Sequence, residues 1–442
     1  MHLKNYSIHF VGIGGVGMSG LAELLHNLGA KVTGSDIATG ANVSRLQELG
    51  VNCFLGHSAE NIGEIDVLVY TSAVDKSNPE IKKALDLKVP VIPRAEILGE
   101  IMSLQRGIAV GGTHGKTTTT SIIGNMLIHV GKEPTIVVGG RLDLIKSTAR
   151  LGSGQWLVAE ADESDGSFLK LNPEISIITN IDYDHMDHYG TEENLLNTFL
   201  EFANKVPFYG RLIAFGDDPL IRKALTNYNK RILFYGFGDD NDIRIEGSNS
   251  KYNFYQSGDL LGEFECALPG AHNALNSTAA LIVGLELGLS FAVASEGIKV
   301  FQGVGRRMEY KGLDKGMERF DDYAHHPTEI KATILGLREK FPESKIAVVF
   351  QPHRYSRTQL CWEDFKTSFT GIDQLFIADI YAASEQPIAG IDSKKLAEEI
   401  DLNKTAYLQT SLDLSIEKSK LDGIDVLVTM GAGDIYNLEI TS

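Results

Sequence analysis

Cysteine is scarce in this chain of 442 residues, and the three present, Cys53, Cys266 and Cys361, stand far apart. That spacing excludes a disulfide scaffold and the paired ligands of a zinc site, and predicts buried, reduced thiols. Long apolar runs are missing too, which argues against membrane insertion. Met1-His2-Leu3-Lys4-Asn5 leads straight into a strand-like segment, with no apolar signal core, so a cytoplasmic location is expected. Positive charge is not in excess: the formal net charge is −17, which argues against a general nucleic-acid binder, since phosphate-backbone affinity needs clustered Lys and Arg. Anionic small molecules stay possible, because a few local cations outweigh a global field at short range. No heptad run, solenoid period or low-complexity tail is found.

What the chain does contain is an alternation of short apolar strands and amphipathic helices. Ser7 to Val11, Met18 to Leu28, Lys31 to Thr33, Val67 to Tyr70 and Val91 to Ile92 read as a parallel α/β unit. A second unit opens near Arg106. Its strand candidates are Gly107 to Val110, Ile136 to Val138, Trp156 to Ala159, Ile175 to Thr179 and Leu212 to Phe215, with helices Thr117 to Val130, Leu195 to Val206 and Asn273 to Leu287. Residues 230 to 265, polar and rich in Gly, Asn and Asp, predict a strand meander on its edge. A third alternation starts near Arg307, with helix Thr328 to Phe341 and strands Ile346 to Phe350, Gln374 to Ile377 and Val426 to Met430. The expected architecture is α/β in three domains: 1–105 Rossmann-like, 106–306 of phosphate-loop ATPase type with a small β meander, and 307–442 Rossmann-like.

Gly111 to Thr120 carries the strongest chemical signal, Gly-Gly-Thr-His-Gly-Lys-Thr-Thr-Thr-Thr between a strand and a helix. Backbone N–H groups of such a turn close on phosphate oxygens, Lys116 can bridge the terminal phosphates, and the Thr117 hydroxyl can reach magnesium. The usual spacing puts glycine where Val110 stands. Gly12-Ile13-Gly14-Gly15-Val16-Gly17 follows the first strand, with Asp36 after the next; alone it would indicate NAD, although the same turn holds any diphosphate or serves as a tight turn.

Strand Trp156 to Ala159 ends in Glu160-Ala-Asp-Glu-Ser-Asp165, where a hard cation fits; Glu160 with Thr117 makes a sensible first-metal pair, against the alternative of a solvated acidic loop. His185, in Asp184-His-Met-Asp187, could touch a second metal or the transferred phosphoryl group, although imidazole is an unusual magnesium ligand. Asn273 and Asn276, three apart on one helical face, could meet a nucleotide, and helix capping is an equally good account. In the third region Arg306-Arg307, Arg354-x-x-Arg357 and Asp321-Asp-Tyr-Ala-His-His-Pro327 offer carboxylate or phosphate contacts, or simply solvated charge. Gly431-Ala-Gly-Asp434 reads as a turn with a helix cap.

Taken together, and in this order, these motifs resemble the Mur ligase family of ATP-dependent peptidoglycan precursor enzymes over nearly the whole chain. The likeness rests on Gly12 to Gly20, Gly112 to Thr118, Glu160 to Asp165, Asp184 to Asp187, His272 to Asn276, Gly305 to Arg307, Asp321 to Pro327 and Gln351 to Arg357. The family's Gly-Thr-x-Gly-Lys-Thr form also accounts for Val110. One departure is Thr148, where asparagine is expected. The resemblance implies that the first domain holds UDP-N-acetylmuramate through Gly14, Gly15, Gly17, Met18, Ser19, Asp36 and Ser72. It implies ATP on Gly112, Thr113, His114, Gly115, Lys116, Thr117, Thr118, Asn273, Asn276, Arg307 and Asp322, and Mg2+, two ions with Mn2+ as a substitute, at Thr117, Glu160 and His185. Lys116, Glu160 and His185 are the implied catalytic residues; His325, Arg354 and Arg357 lie around the amino acid and phosphoryl group. The implied reaction is activation of a sugar-linked carboxylate as an acyl phosphate and its capture by an amine, in a monomer or homodimer. The glycine signature looks more like the branch that adds L-alanine than the one that attaches a tripeptide to the same sugar. A nicotinamide-dependent oxidoreductase and a non-catalytic nucleotide-binding regulator are the rivals from other classes.

Overall fold

The computed structural model describes residues 4–71, 73–142, 147–400, 402, 404–410 and 413–441. The first sheet is five-stranded and parallel, in the order Asn52–Leu55, Lys31–Asp36, Ser7–Val11, Val67–Tyr70, Val91–Pro93. The order reverses beside Ser7–Val11, and in doubly wound sheets the crevice at such a reversal takes the ligand. Helix Val16–Asn27 begins there, and Leu21, Leu24 and Leu25 bury its inner face.

Arg106–Gly111 lies inside a ten-stranded sheet, between Trp156–Glu160 and Ile175–Ile178, both parallel to it. Its residues Gly107 to Gly111 are all buried, as expected of a strand covered on both faces. Helix Lys116–His129 follows and is buried from Thr117 to Leu127, threonines included. The edge formed by Ile232–Gly236, Ile243–Ser248, Lys251–Gln256 and Asp259–Glu265 occupies the region expected to be a meander. The first two of these pair parallel, so Ile232–Gly236 is a continuation of the parallel sheet and no hairpin joins it to its neighbour. Strand Ser147–Arg150, which apolar periodicity does not reveal, pairs antiparallel with Thr135–Leu142 and packs on helix Val16–Asn27. Thr148, the departure noted above, donates its hydroxyl to Val16 O at 3.2 Å, tying the two sheets' elements together.

The third sheet is six-stranded: Glu309–Asp314, Met317–Asp322, Val426–Met430, Ile346–Phe350, Gln374–Ala378, Thr405–Leu408. Only the first pair is antiparallel. Contact density divides the chain into two compact units, one holding the first two sheets (1–246, 252–265, 275–302) and one holding the third with 247–251 and 266–274. Two of the three thiols are buried as expected; Cys53 is only half-buried. Asp434 stands before the short helix Ile435–Asn437 but does not cap it with its side chain; its carboxylate instead accepts from Gln351 Nε2 at 2.8 Å, correcting the expected cap. Among the described residues no helix is long and apolar enough to cross a membrane.

Candidate functional site

The phosphate loop leaves the C-terminal end of Arg106–Gly111 with Gly112 at φ +127° and Gly115 at φ +81°, values that favour glycine. Val110 is buried in the strand, paired with Glu160 on one side and Ile177 on the other, so the turn begins one residue later than the common spacing assumes. The loop is braced from the neighbouring strand's end. Thr179 Oγ1 donates to His114 O at 2.6 Å, Asn180 Oδ1 accepts from His114 N at 2.8 Å, and Asp182 N donates to Thr113 Oγ1 at 2.9 Å. His114 Nε2 lies 3.2 Å from Asp182 Oδ2. Thr179 and Asn180 escaped notice in sequence because their partners lie more than sixty positions away.

Lys116 donates to Gly112 O at 2.8 Å and Thr113 O at 2.9 Å, and pairs with Glu163 Oε2 at 2.7 Å. Burial works against its charge, but Glu163, Glu160 and Asp162 more than offset this and raise its pKa. Burial pushes the Glu163 carboxyl up to about 7, against the pull of Lys116. Thr117 Oγ1 donates to Glu160 Oε2 at 2.9 Å, and Gly139 N donates to the same oxygen at 2.7 Å, so the expected first-metal pair is brought together. His185, at φ +56° before helix Met186–Tyr189, has its Nε2 3.5 Å from Asp184 Oδ2. Asn276, buried, accepts from Thr119 Oγ1 at 3.1 Å in the helix that follows the loop, and its Oδ1 would lie 2.6 Å from a Cβ at Gly115.

At the first sheet's switch point Gly12 has φ +80°, and helix Val16–Asn27 starts with no side-chain cap, leaving its first N–H groups for an anion. Asp36 accepts from Gly14 N at 2.8 Å and Ala38 N at 3.2 Å, so its carboxylate shapes the glycine turn. Met18 is buried in the core, and Ser19 Oγ donates to Val16 O at 3.1 Å. Ser72 lies outside the described residues. Arg94 covers Gly17, whose added Cβ would meet Arg94 Nη1 at 2.5 Å, and stands 3.5 Å from Asp162 Oδ2. A cavity of about 690 Å³ joins Gly15, Gly17, Arg94 and Lys76 to Gly139 and Asp165. A second, of about 590 Å³, lies beside Asp36, Ile37 and His57. Arg94 was missed in sequence; its one signal is a cation directly after a parallel strand.

In the second unit Asn273 is buried and donates to Pro269 O at 2.7 Å. Arg307 lies 3.6 Å from Glu329 and over the Tyr323 ring. Asp322 accepts from Met308 N and Ala324 N, each at 2.8 Å, and burial raises its pKa. His325 Nδ1 is 3.0 Å from Tyr323 O and 3.3 Å from Glu329 Oε2. Arg354, at φ +69°, starts helix Tyr355–Leu360, and Arg357 Nη1 lies 3.4 Å from His353 Nδ1. His353 stacks on Tyr381, and burial together with His325, Arg357 and Arg354 holds its pKa down to about 3. This electropositive group suits a carboxylate or phosphate.

These features define a phosphate-loop α/β protein with a second, glycine-rich anion site at the switch point of a doubly wound sheet. Three family models match in succession: the Mur ligase family catalytic domain over residues 7–106, the Mur ligase middle domain over 110–284, and the Mur ligase glutamate ligase domain over 306–433. The chain belongs to the Mur ligase family. It is 53% identical to a UDP-N-acetylmuramate--L-alanine ligase of Bdellovibrio bacteriovorus, over 99% of this chain and 98% of the relative. The solved UDP-N-acetylmuramate-alanine ligase of Thermotoga maritima superposes with a TM-score of 0.82 at 30% identity, covering 98% of this chain and 97% of that one. A murein peptide ligase of Psychrobacter arcticus shares the fold, with a TM-score of 0.72 at 23% identity over 97% and 96%.

Proposed function

We propose that this protein joins L-alanine to the lactyl carboxylate of UDP-N-acetylmuramate, with conversion of ATP to ADP and phosphate, as a step of peptidoglycan precursor synthesis. One observation carries the reading. The cavity that runs from the glycine turn and Arg94 ends at Gly139 and the acidic segment, and Gly139 hydrogen-bonds Glu160, the residue that also holds Thr117 of the phosphate loop. A carboxylate carried by a sugar diphosphate and the terminal phosphate of ATP therefore converge. The end-to-end likeness to the Bdellovibrio ligase supports the choice of sugar nucleotide and amino acid.

The chemistry follows from charge. At neutral pH a carboxylate and an ammonium form a salt, so the carboxylate needs a leaving group before an amide can form. The lactyl carboxylate attacks the γ-phosphorus, ADP leaves, and the acyl phosphate is taken by the neutral amine of alanine with loss of phosphate. Two anions must approach, so positioning and charge neutralisation supply most of the rate. Lys116 brings a buried positive charge to the phosphates, and the loop amides orient them. Thr117 and Glu160, hard oxygen donors 2.9 Å apart, fit magnesium, which would offset phosphate charge there; His185 is the candidate for a second ion. Gly14, Gly15, Gly17 and Arg94 are assigned to the sugar diphosphate, and the Asp36 pocket to the uridine. Asn273, Arg307 and Asp322 are assigned to ATP, and His325, Arg354 and Arg357 to the amino acid and phosphoryl group; the acyl phosphate has to be kept from water. The reaction belongs to the cytoplasm.

Phosphate release from ATP and UDP-N-acetylmuramate, measured with L-alanine, glycine, L-serine or the wall tripeptide as acceptor, tests the reading. Turnover with L-alanine is expected; turnover with the tripeptide alone overturns it.

A further inference from the structure

Lys116 meets three acceptors at once, two loop carbonyls and Glu163 Oε2, at 2.7–2.9 Å. The two carbonyls accept hydrogen bonds from the ammonium, and Glu163 Oε2 faces it as the close partner of an ion pair. Glu163 is 2% exposed, and Lys116 is its ion-pair partner. Its backbone carbonyl is pinned by the Tyr189 hydroxyl and by Gly166 N at 3.0 Å, so the segment around the carboxylate is held in place.

We propose that Glu163 competes with the terminal phosphates of the nucleotide for Lys116: as its ion-pair partner it holds the lysine folded on the loop, and it is displaced when a nucleoside triphosphate takes its place. The inference rests on the reading of the loop as an ATP site. Glu163 is then a positioning residue distinct from the Thr117–Glu160 pair. The loop carbonyls can stay bound to Lys116 while its ion-pair partner changes from the carboxylate to a phosphate. When the phosphates leave, the carboxylate recaptures the lysine and favours nucleotide release. The arrangement raises the threshold for loading ATP and lowers the barrier to losing ADP.

The test uses the full chain with Mg2+ and compares binding of a non-hydrolysable ATP analogue with binding of adenosine, which has no phosphate to reach Lys116. Glu163→Gln keeps the shape and removes the charge, so the analogue is expected to bind about tenfold more tightly, the size of one charge-assisted hydrogen bond, with adenosine unchanged. In turnover the KM for ATP falls and kcat falls with it, as ADP leaves more slowly. Glu163→Asp, which keeps the charge but draws it back from Lys116, tightens the analogue by a smaller factor and serves if the glutamine variant does not fold. Analogue affinity unchanged or weakened, or an equal shift for analogue and adenosine, overturns the proposal. An unmutated protein that binds no ATP analogue overturns the nucleotide reading itself.

Discussion

Gly112→Ala isolates the demand the phosphate loop makes on its backbone. At φ +127° an alanine sits in a region closed to L side chains, which costs about 1–3 kcal/mol. The added Cβ would also fall well inside contact distance of Thr179 Oγ1, 2.9 Å from Thr179 N and 3.0 Å from Asn180 O. Two of these neighbours are backbone atoms, so the loop has to move. Movement breaks the Thr179 bonds to His114 O at 2.6 Å and Gly111 O at 3.3 Å, each contributing about 0.5–1.5 kcal/mol. The sum, about 2–6 kcal/mol, lies below the stability of most folded proteins at its lower end, so the penalty falls mainly on loop geometry. A local cost of about 3 kcal/mol lowers the competent population roughly a hundredfold. We expect kcat/KM for ATP to drop by at least that factor while urea denaturation still shows a cooperative transition. Gly131→Ala is the control: φ is +73° but nothing lies within 4 Å of an added Cβ, so it costs about 1–2 kcal/mol of stability and leaves ATP turnover intact. Equal activity of both variants would refute the reasoning.

Lys116→Ala is expected to abolish phosphate release while UDP-N-acetylmuramate binding, followed by calorimetry, stays within a few-fold of the unmutated protein. Arg94→Ala is expected to weaken that sugar nucleotide by about ten- to a hundredfold, the value of a lost charge-assisted contact, with KM for ATP unchanged. Glu80, buried in the first sheet's domain, supplies a pH signature. Burial opposes its charge, but hydrogen bonds from Ser35 Oγ at 2.5 Å and Asn61 Nδ2 at 2.6 Å, with His9 nearby, prevail and hold its pKa at about 2 against an ordinary 4.5. A depressed folded-state pKa gives stability that is present above about 4.5 and lost as pH falls toward about 2. Denaturation midpoints over that window should fall steeply in the unmutated protein and more shallowly in Glu80→Gln; parallel curves would contradict the assignment.

The parts of this fold legible in sequence are those governed by local rules. Ser7–Val11, Val67–Tyr70, Ile346–Phe350 and Val426–Met430 match their expected limits because covered parallel strands are mainly apolar runs bounded by turns. Ser147–Arg150 and Met317–Asp322 were not anticipated, since polar and charged residues occupy them and their strand state comes from their neighbours. The site divides in the same way. A phosphate demands a particular backbone path over a few residues, so Gly112, Gly115 and Lys116 announce themselves by spacing. Nothing local demands that Thr179 brace His114, that Asn276 sit against Gly115, that Arg94 cover Gly17 or that Glu163 face Lys116. Thr179–His114 and Glu163–Lys116 are made where neighbouring strands end side by side, whereas Asn276 comes from helix Ala271–Glu286 and Arg94 follows a strand two places from Ser7–Val11. The same fact recasts two candidates: Asp36 accepts from the glycine turn itself, and Asn276 accepts from Thr119 of the helix that follows the phosphate loop. A residue that holds a loop in its binding shape serves the ligand through that loop, and the spacing that draws attention to it is the same whether it touches ligand or scaffold. Only the hydrogen-bond partner separates the two roles, and that partner is a property of the fold.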